Sequence, residues 1–357
     1  MSAVAAAIVH NPAAEWFGRH PRVREAARWL AWALVAVLAY VVLILIYGKS
    51  PLHAFHEIWA NTLSTKYGLE DVLVRMTPLL FCAMAVAIPA RVGQVNVGGE
   101  GQIFIGGLTA VWVALTFLSW PSWLLLPAMG LAGMAGGGAW AGIAGWLKAR
   151  GWMSEVFSTV LMNYVAILAV SALVFGPWRD PTSSNYPQTR EISPSARLPH
   201  FGATRIDVTL VIAVAVVVGF AWFLRSTRWG LEIRAIGGNP YAAERNGVHV
   251  SRYVIGCMVV GGALAGLAGM GQLSALQFRL NPGLSPGFGY VGFLLSWLAG
   301  HNPRLIVPMA FLLAVLASSG DILQISQGLP SAIVNVLSAI LMLVVLLARA
   351  RTKVSTA

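Results

Sequence analysis

Long uncharged stretches separated by short polar segments set the rhythm of this chain. They fall at about 29–48, 72–90, 101–119, 123–147, 154–176, 208–224, 253–272, 287–300, 304–320 and 331–348. The first, Trp29 to Gly48, holds 20 uncharged residues, enough at 1.5 Å per residue to cross a hydrocarbon layer of about 30 Å. It is longer than a signal-peptide core and ends in Ile44-Leu45-Ile46-Tyr47 rather than at a small-residue cleavage site, so it is read as an uncleaved anchor. The run from Gly101 to Leu147 is too long for one helix, and Ser119-Trp120-Pro121-Ser122-Trp123 supplies the turn that divides it. The pattern predicts an all-α membrane protein of about ten transmembrane helices.

Composition agrees with that class. Of 357 residues 57% are hydrophobic and 10% charged, against about a quarter charged in ordinary soluble domains. The net charge of +11 comes from 24 basic residues scattered singly, with no run of five, which fits a membrane surface and excludes a nucleic-acid footprint. Cys82 and Cys257 each sit inside an apolar run and read as buried small hydrophobes.

An even number of spans puts both termini on one side. With the termini in the cytoplasm, 16 of the 24 Lys and Arg face inward, an excess that orients the chain. Residues 1–28 and 350–357 then form cytoplasmic tails around a membrane domain at 29–349, with an outer loop at 177–207 and an inner segment at 226–251. Spans two to five and seven to ten enter from opposite sides, giving two opposed four-helix groups of the kind that place a path at their interface. Gly133-xxx-Gly137, Gly138-xxx-Gly142 and Gly262-xxx-Gly266 predict close helix packing inside one bundle. Pro78, Pro89, Pro127 and Pro308 predict kinked or interrupted helices.

Polar residues inside such spans are few and therefore informative. Glu100 lies in Gln94-Val95-Asn96-Val97-Gly98-Gly99-Glu100-Gly101-Gln102, a Gly-rich interruption between two apolar spans, where it reads as the first-turn acid of the third span. Asn96, Glu100 and Gln102 either line or brace a translocation path, or cap a helix at the interface. Asn163 falls in the middle of an apolar span one turn after Ser158 and Thr159, and a buried amide there must bond another helix or a polar solute. Glu155 opens the same span and complements its dipole.

Gly237-Gly238-Asn239-Pro240-Tyr241-Ala242-Ala243-Glu244-Arg245-Asn246-Gly247 is the most legible segment. Asn239 is a good N-cap, Pro240 suits the first helical position and Gly247 a C-terminal stop, which predicts a helix of about seven residues. Too short to be stable alone, it needs a docking surface, and a cytoplasmic partner is a natural candidate. Gly48-Lys49-Ser50 echoes the end of a phosphate-binding loop but lacks the earlier glycine, and His53, His56 and Glu57 read as a solvated amphipathic helix rather than a metal site. No nucleophile–histidine–acid set, CxxC or HExxH is visible, so neither catalysis, a cofactor nor a metal is expected. A stand-alone ion-coupled carrier, the alternative class, predicts buried acid–base pairs along the spans, and beyond Glu100 almost none are found.

Asn96-Val97-Gly98-Gly99-Glu100-Gly101-Gln102 with Ile105-Gly106-Gly107 resembles the signature of bacterial ABC-importer permeases of the simple-sugar and nucleoside branch, related to ribose and branched-chain amino-acid permeases. The likeness extends through Ser154-Glu155-Val156, Leu161-Met162-Asn163-Tyr164, the loop from Pro177 to Pro199, Glu232 to Pro240, and Ser285-Pro286-Gly287-Phe288-Gly289-Tyr290. Gly98-Gly99 stands where the pattern more often has Gly-Ala, and Gly238 where a bulkier residue is frequent. The resemblance implies a ten-span subunit in a bacterial inner membrane, paired with a second permease, a distinct homologue, driven by a cytoplasmic ABC ATPase and fed by an external substrate-binding lipoprotein. It implies that Gly238, Asn239, Pro240, Ala242, Ala243, Glu244, Asn246 and Gly247 form the coupling segment. The expected cargo is a nucleoside, with a simple sugar as the alternative; amides such as Asn96, Gln102 and Asn163 suit an uncharged solute.

Overall fold

A computed structural model of the chain describes residues 21–183, 186–328, 336, 339 and 340. The first 20 residues of the predicted tail at 1–28, the predicted tail at 350–357 and most of the predicted span at 331–348 lie outside the described residues. Within them the regular secondary structure is all helical. The helices are α1 (Pro21–Ile46), α2 (Pro51–Ile58), α3 (Lys66–Ala90), α4 (Gly99–Thr116), α5 (Ser122–Ala149), α6 (Glu155–Phe175), α7 (Val208–Ser226), α8 (Arg228–Gly238), α9 (Pro240–Arg245), α10 (Val250–Gln272), α11 (Phe288–Leu298) and α12 (Pro303–Gln327). Among the described residues six helices are long and apolar enough to cross a membrane, or seven if the bent pair Val37–Ile46 and Pro51–Leu63 counts as one span.

The chain forms two compact units, 59–319 and the described residues of 1–58 with 320–357. In the smaller one, Ile44, Ala54 and Leu323 make a buried cluster backed by Tyr40, Leu43 and Ile58. The Tyr40 and Phe55 rings meet there at 4.8 Å. His53 Nε2 lies 3.7 Å from Glu57 on exposed α2, an i,i+4 pair of the kind a solvated helix forms.

The larger unit is built around α3, buried without a break from Met76 to Pro89. A helix apolar on every side belongs in the middle of a bundle. Against it lie α4, α7, α10 and α11, and α5 packs on α4 and α10. Glycines set the closest crossing: a Cβ on Gly266 would fall 2.1 Å from the Gly133 carbonyl oxygen, and one on Gly106 2.2 Å from the Gly266 Cα. The small-residue motifs thus bring three backbones together inside one chain, where lipid gives no hydrophobic drive for association.

Two sequence expectations can be placed. The four prolines lie inside helices, Pro78 and Pro89 in α3 with Pro89 one residue from its end, Pro127 in α5 and Pro308 in α12. Neighbouring helices make that tolerable by re-satisfying the freed backbone groups. The segment predicted as a span at 287–300 contains an 11-residue helix, roughly 16 Å long and about half a hydrocarbon thickness. Its two ends are set by left-handed residues, Gly287 (φ 94°) before it and Gly300 and His301 (φ 59° and 55°) after it.

Candidate functional site

Between α3 and α4 the chain leaves helical geometry for residues 91–98, crossing buried space without an intrahelical partner for each backbone group. Such a segment must be satisfied by side chains. Asn96 supplies part of this: its Oδ1 accepts the Gly98 N–H at 2.9 Å, while its Nδ2 donates back to the Ala85 carbonyl in α3 at 3.0 Å. Gln102 completes a two-way amide pair, donating from Nε2 to Asn96 Oδ1 at 2.9 Å and accepting from Asn96 Nδ2 at 3.1 Å.

From α6, Asn163 bonds both sides of the same segment, accepting the Gly101 N–H at 2.8 Å and donating to the Val97 carbonyl at 3.0 Å. One turn earlier Thr159 Oγ1 accepts the Val97 N–H at 3.3 Å. Asn96 and Asn163 are wholly buried, and Glu100, Gln102 and Thr159 nearly so.

Glu100 stands in the first turn of α4, as its sequence context predicts. Its carboxylate is spent elsewhere: Oε2 accepts the Gly289 N–H at 2.8 Å, at the start of α11. The free N–H groups of a helix start favour a negative charge, so this acid caps a helix 189 residues away. A Cβ on Gly289 would lie 2.1 Å from the Glu100 nitrogen, so only glycine permits that approach. Glu155 is likewise held, at 2.8 Å from Lys148 Nζ at the end of α5.

The second region is α8 and α9. Asn239 caps α9 by accepting the Ala242 N–H at 3.0 Å, Pro240 occupies the first turn, and Gly247 follows with φ 84°. Ala243 is the one buried residue of α9; Gly238, Asn239, Pro240, Ala242, Glu244, Asn246 and Gly247 are all exposed, as is Tyr241. Behind this helix, a Cβ on Gly237 would lie 2.2 Å from the Arg91 carbonyl oxygen, so the end of α8 rests directly on the first residue of the 91–98 connector. Arg91 in turn donates from Nη2 to the His301 carbonyl, just past α11.

On the opposite flank the loop 177–207 is docked rather than free. Thr189 N–H donates to the Leu280 carbonyl at 2.9 Å, Ile192 N–H to Phe278 at 3.0 Å and Leu198 N–H to Ser274 at 3.0 Å. Arg279 pairs with Asp180 at 2.8 Å and with Glu191 at 2.9 Å. The Thr182 hydroxyl and N–H, and then Arg279, hold the Asp180 carboxyl below its usual range. The loop's polar composition hides these links because its apolar members, Ile192 and Ala196, are spaced irregularly yet buried.

Both regions carry the residues singled out from the sequence; their cross-links were not foreseen. Gly289, Thr159, Arg91 and Arg279 carry them, and each contact joins residues more than 60 positions apart or reaches backbone, so periodicity gives no local signal.

The described helices thus hold Asn96, Gln102, Asn163 and Glu100 in internal hydrogen bonds and present an exposed, capped helix on one flank. The chain belongs to the family of permease components of branched-chain amino acid transport systems, whose pattern matches residues 68–346. It is similar to a glucose ABC transporter permease protein of Haloferax volcanii, 32% identical over 90% of this chain and 88% of that one. A guanosine ABC transporter permease protein of Bacillus subtilis is 31% identical, covering 87% and 90%. A nucleoside ABC transporter permease protein of Lactococcus lactis is 29% identical, covering 84% of each. The chain is therefore a multi-pass membrane permease subunit of an ABC transporter, in the sugar and nucleoside branch.

Proposed function

We propose that this chain is the membrane-spanning subunit of an ATP-driven importer for nucleosides. The observation that carries the mechanism is the close approach of Gly237, at the end of α8 and just before exposed α9, to the carbonyl of Arg91, the start of the polar connector. A cytoplasmic ATPase gripping residues 238–247 pushes on Gly237 and Arg91. Arg91 leads along the chain to Asn96, Gln102 and Glu100, and through Glu100 to the start of α11. Closing and opening the ATPase then tilts α4 and α11 together, because the carboxylate ties them. On this reading Asn96, Glu100, Gln102 and Asn163 brace the path, since each spends its polar atoms on the protein itself.

The remaining assignments belong to the same reading: about ten spans in two opposed four-helix groups, a bacterial inner membrane, both termini cytoplasmic and an external substrate-binding lipoprotein facing the loop at 177–207. A second, distinct permease subunit is supported by two pairs of similar proteins, guanosine permeases P and Q of Bacillus subtilis and nucleoside permeases B and C of Lactococcus lactis. Glucose transport is favoured by the Haloferax relative and is the second reading. An ion-coupled carrier fits less well, because Glu100 and Glu155 are both engaged in fixed contacts. Uptake of radiolabelled guanosine into proteoliposomes holding the complete complex tests the cargo. ATP-dependent uptake blocked by other nucleosides but not by glucose is expected; competition by glucose alone reverses the assignment.

A further inference from the structure

A cavity of about 1010 Å³ opens between α7, α8 and α10. Its long walls are apolar, with Val216 and Phe220 on α7 facing Val260 and Leu264 on α10. Gly219 and Gly256 sit in those walls, and a Cβ on either would meet nothing within 4 Å. That sets them apart from the glycines of the α5–α10 crossing: they widen a gap instead of closing one. From Arg252 to Leu264 the groove follows α10 for about 18 Å, a little more than one leaflet of a ~30 Å hydrocarbon layer.

The mouth is different in character. Arg228, Arg252 and His249 ring it and are exposed. The one carboxylate there, Glu232, accepts from the Tyr253 hydroxyl and pairs with Arg228 at 3.2 Å, so Arg252 is left as excess positive charge. Trp229 lines the mouth and is 65% exposed, where indole rings mark the headgroup level of a bilayer.

We propose that this groove binds an anionic phospholipid, its phosphate held by Arg228 and Arg252 and one acyl chain laid along Phe220, Gly256 and Val260. Basic pockets between helices take anionic headgroups in this way, and the apolar walls match a chain rather than a soluble anion. Because Asn246 and Gly247 border the same mouth, the lipid lies against the foot of α9.

Native mass spectrometry of the assembled complex, released from detergent after exchange with phosphatidylglycerol or phosphatidylcholine, tests this. Phosphatidylglycerol should be retained about tenfold or more over phosphatidylcholine, and the double change Arg228→Gln with Arg252→Gln should remove that preference. Arg228→Lys with Arg252→Lys should keep it. Gly256→Leu, which has room for its side chain, should lose both lipids without lowering the melting temperature. Equal retention of the two lipids, or retention unaffected by Gly256→Leu and by loss of both arginines, overturns the proposal. So does protection of Gly256→Cys from thiol reagents in lipid-depleted complex, which would show a protein surface filling the groove.

Discussion

The connector at 91–98 and the segment at 228–247 are both short polar interruptions between apolar helices, yet they end up in opposite states. Around the connector, Asn96, Gln102, Asn163 and Glu100 are buried and bonded to backbone or to one another. In α9 the polar residues face outward and their bonds are local: the Asn239 cap, Arg245 on the Tyr241 ring and hydroxyl, and Asn246 on the Ala242 carbonyl. A buried polar group left unpaired is costly, so these four side chains need their partners within the chain. An exposed one waits at no cost for a partner. Changes in the connector should therefore reduce the amount of folded protein, and changes in α9 should reduce function at constant fold.

The largest effect should come from neither region but from the crossing on which the connector rests. Gly266→Leu forces a side chain into the Gly133 backbone and should cost more than about 4 kcal/mol, seen as loss of the monodisperse peak in size-exclusion chromatography. Next, Asn163→Leu orphans the Gly101 N–H and the Val97 carbonyl. At about 1–3 kcal/mol per unpaired group, it should lower the melting temperature by several degrees. An unchanged melting temperature would mean that water or lipid replaces the amide and that the connector does not depend on Asn163.

Asn239→Ala removes the α9 cap, worth about 1 kcal/mol locally. It should leave melting unchanged while lowering substrate-stimulated ATP hydrolysis in the complex. If instead it destabilises the whole chain as Asn163→Leu does, the contrast between the two regions collapses. Smallest is the effect of acid on the docked loop. Asp180 titrates lower in the folded chain than in the unfolded one, so its contribution is complete above the ordinary carboxylate range, about pH 4, and is lost as pH falls through the lowered value. Hydrogen exchange at Thr189 and Ile192 should stay slow at pH 5 and rise only in stronger acid; Arg279→Gln should move that rise to higher pH.

What could be read from the sequence follows the same division. The α9 cap was legible because Asn239, Pro240 and Gly247 act within a few residues of one another. So were the helices from 66 to 175, where uncharged runs end at Arg91, at Trp120-Pro121 and at Lys148. The partner of Glu100 was not, because a helix start at Gly289 is fixed only once α4 and α11 meet. Nor was the shortness of α11, since Gly287 and Gly300 end it by backbone conformation while the surrounding sequence stays apolar. The docking of 177–207 on 274–280 escaped for a similar reason: it joins backbone groups and the Arg279 ion pairs across about 75 to 100 residues.

Whether force enters through α9 is tested most directly by guanosine uptake into proteoliposomes that hold the full complex with Glu244→Arg, at matched protein content and melting temperature. Uptake should require ATP in the parent and fall about tenfold or more in the variant, a loss of at least 1.4 kcal/mol of coupling. Full uptake by the variant, or accumulation without ATP in either, would contradict a gate moved from the cytosol.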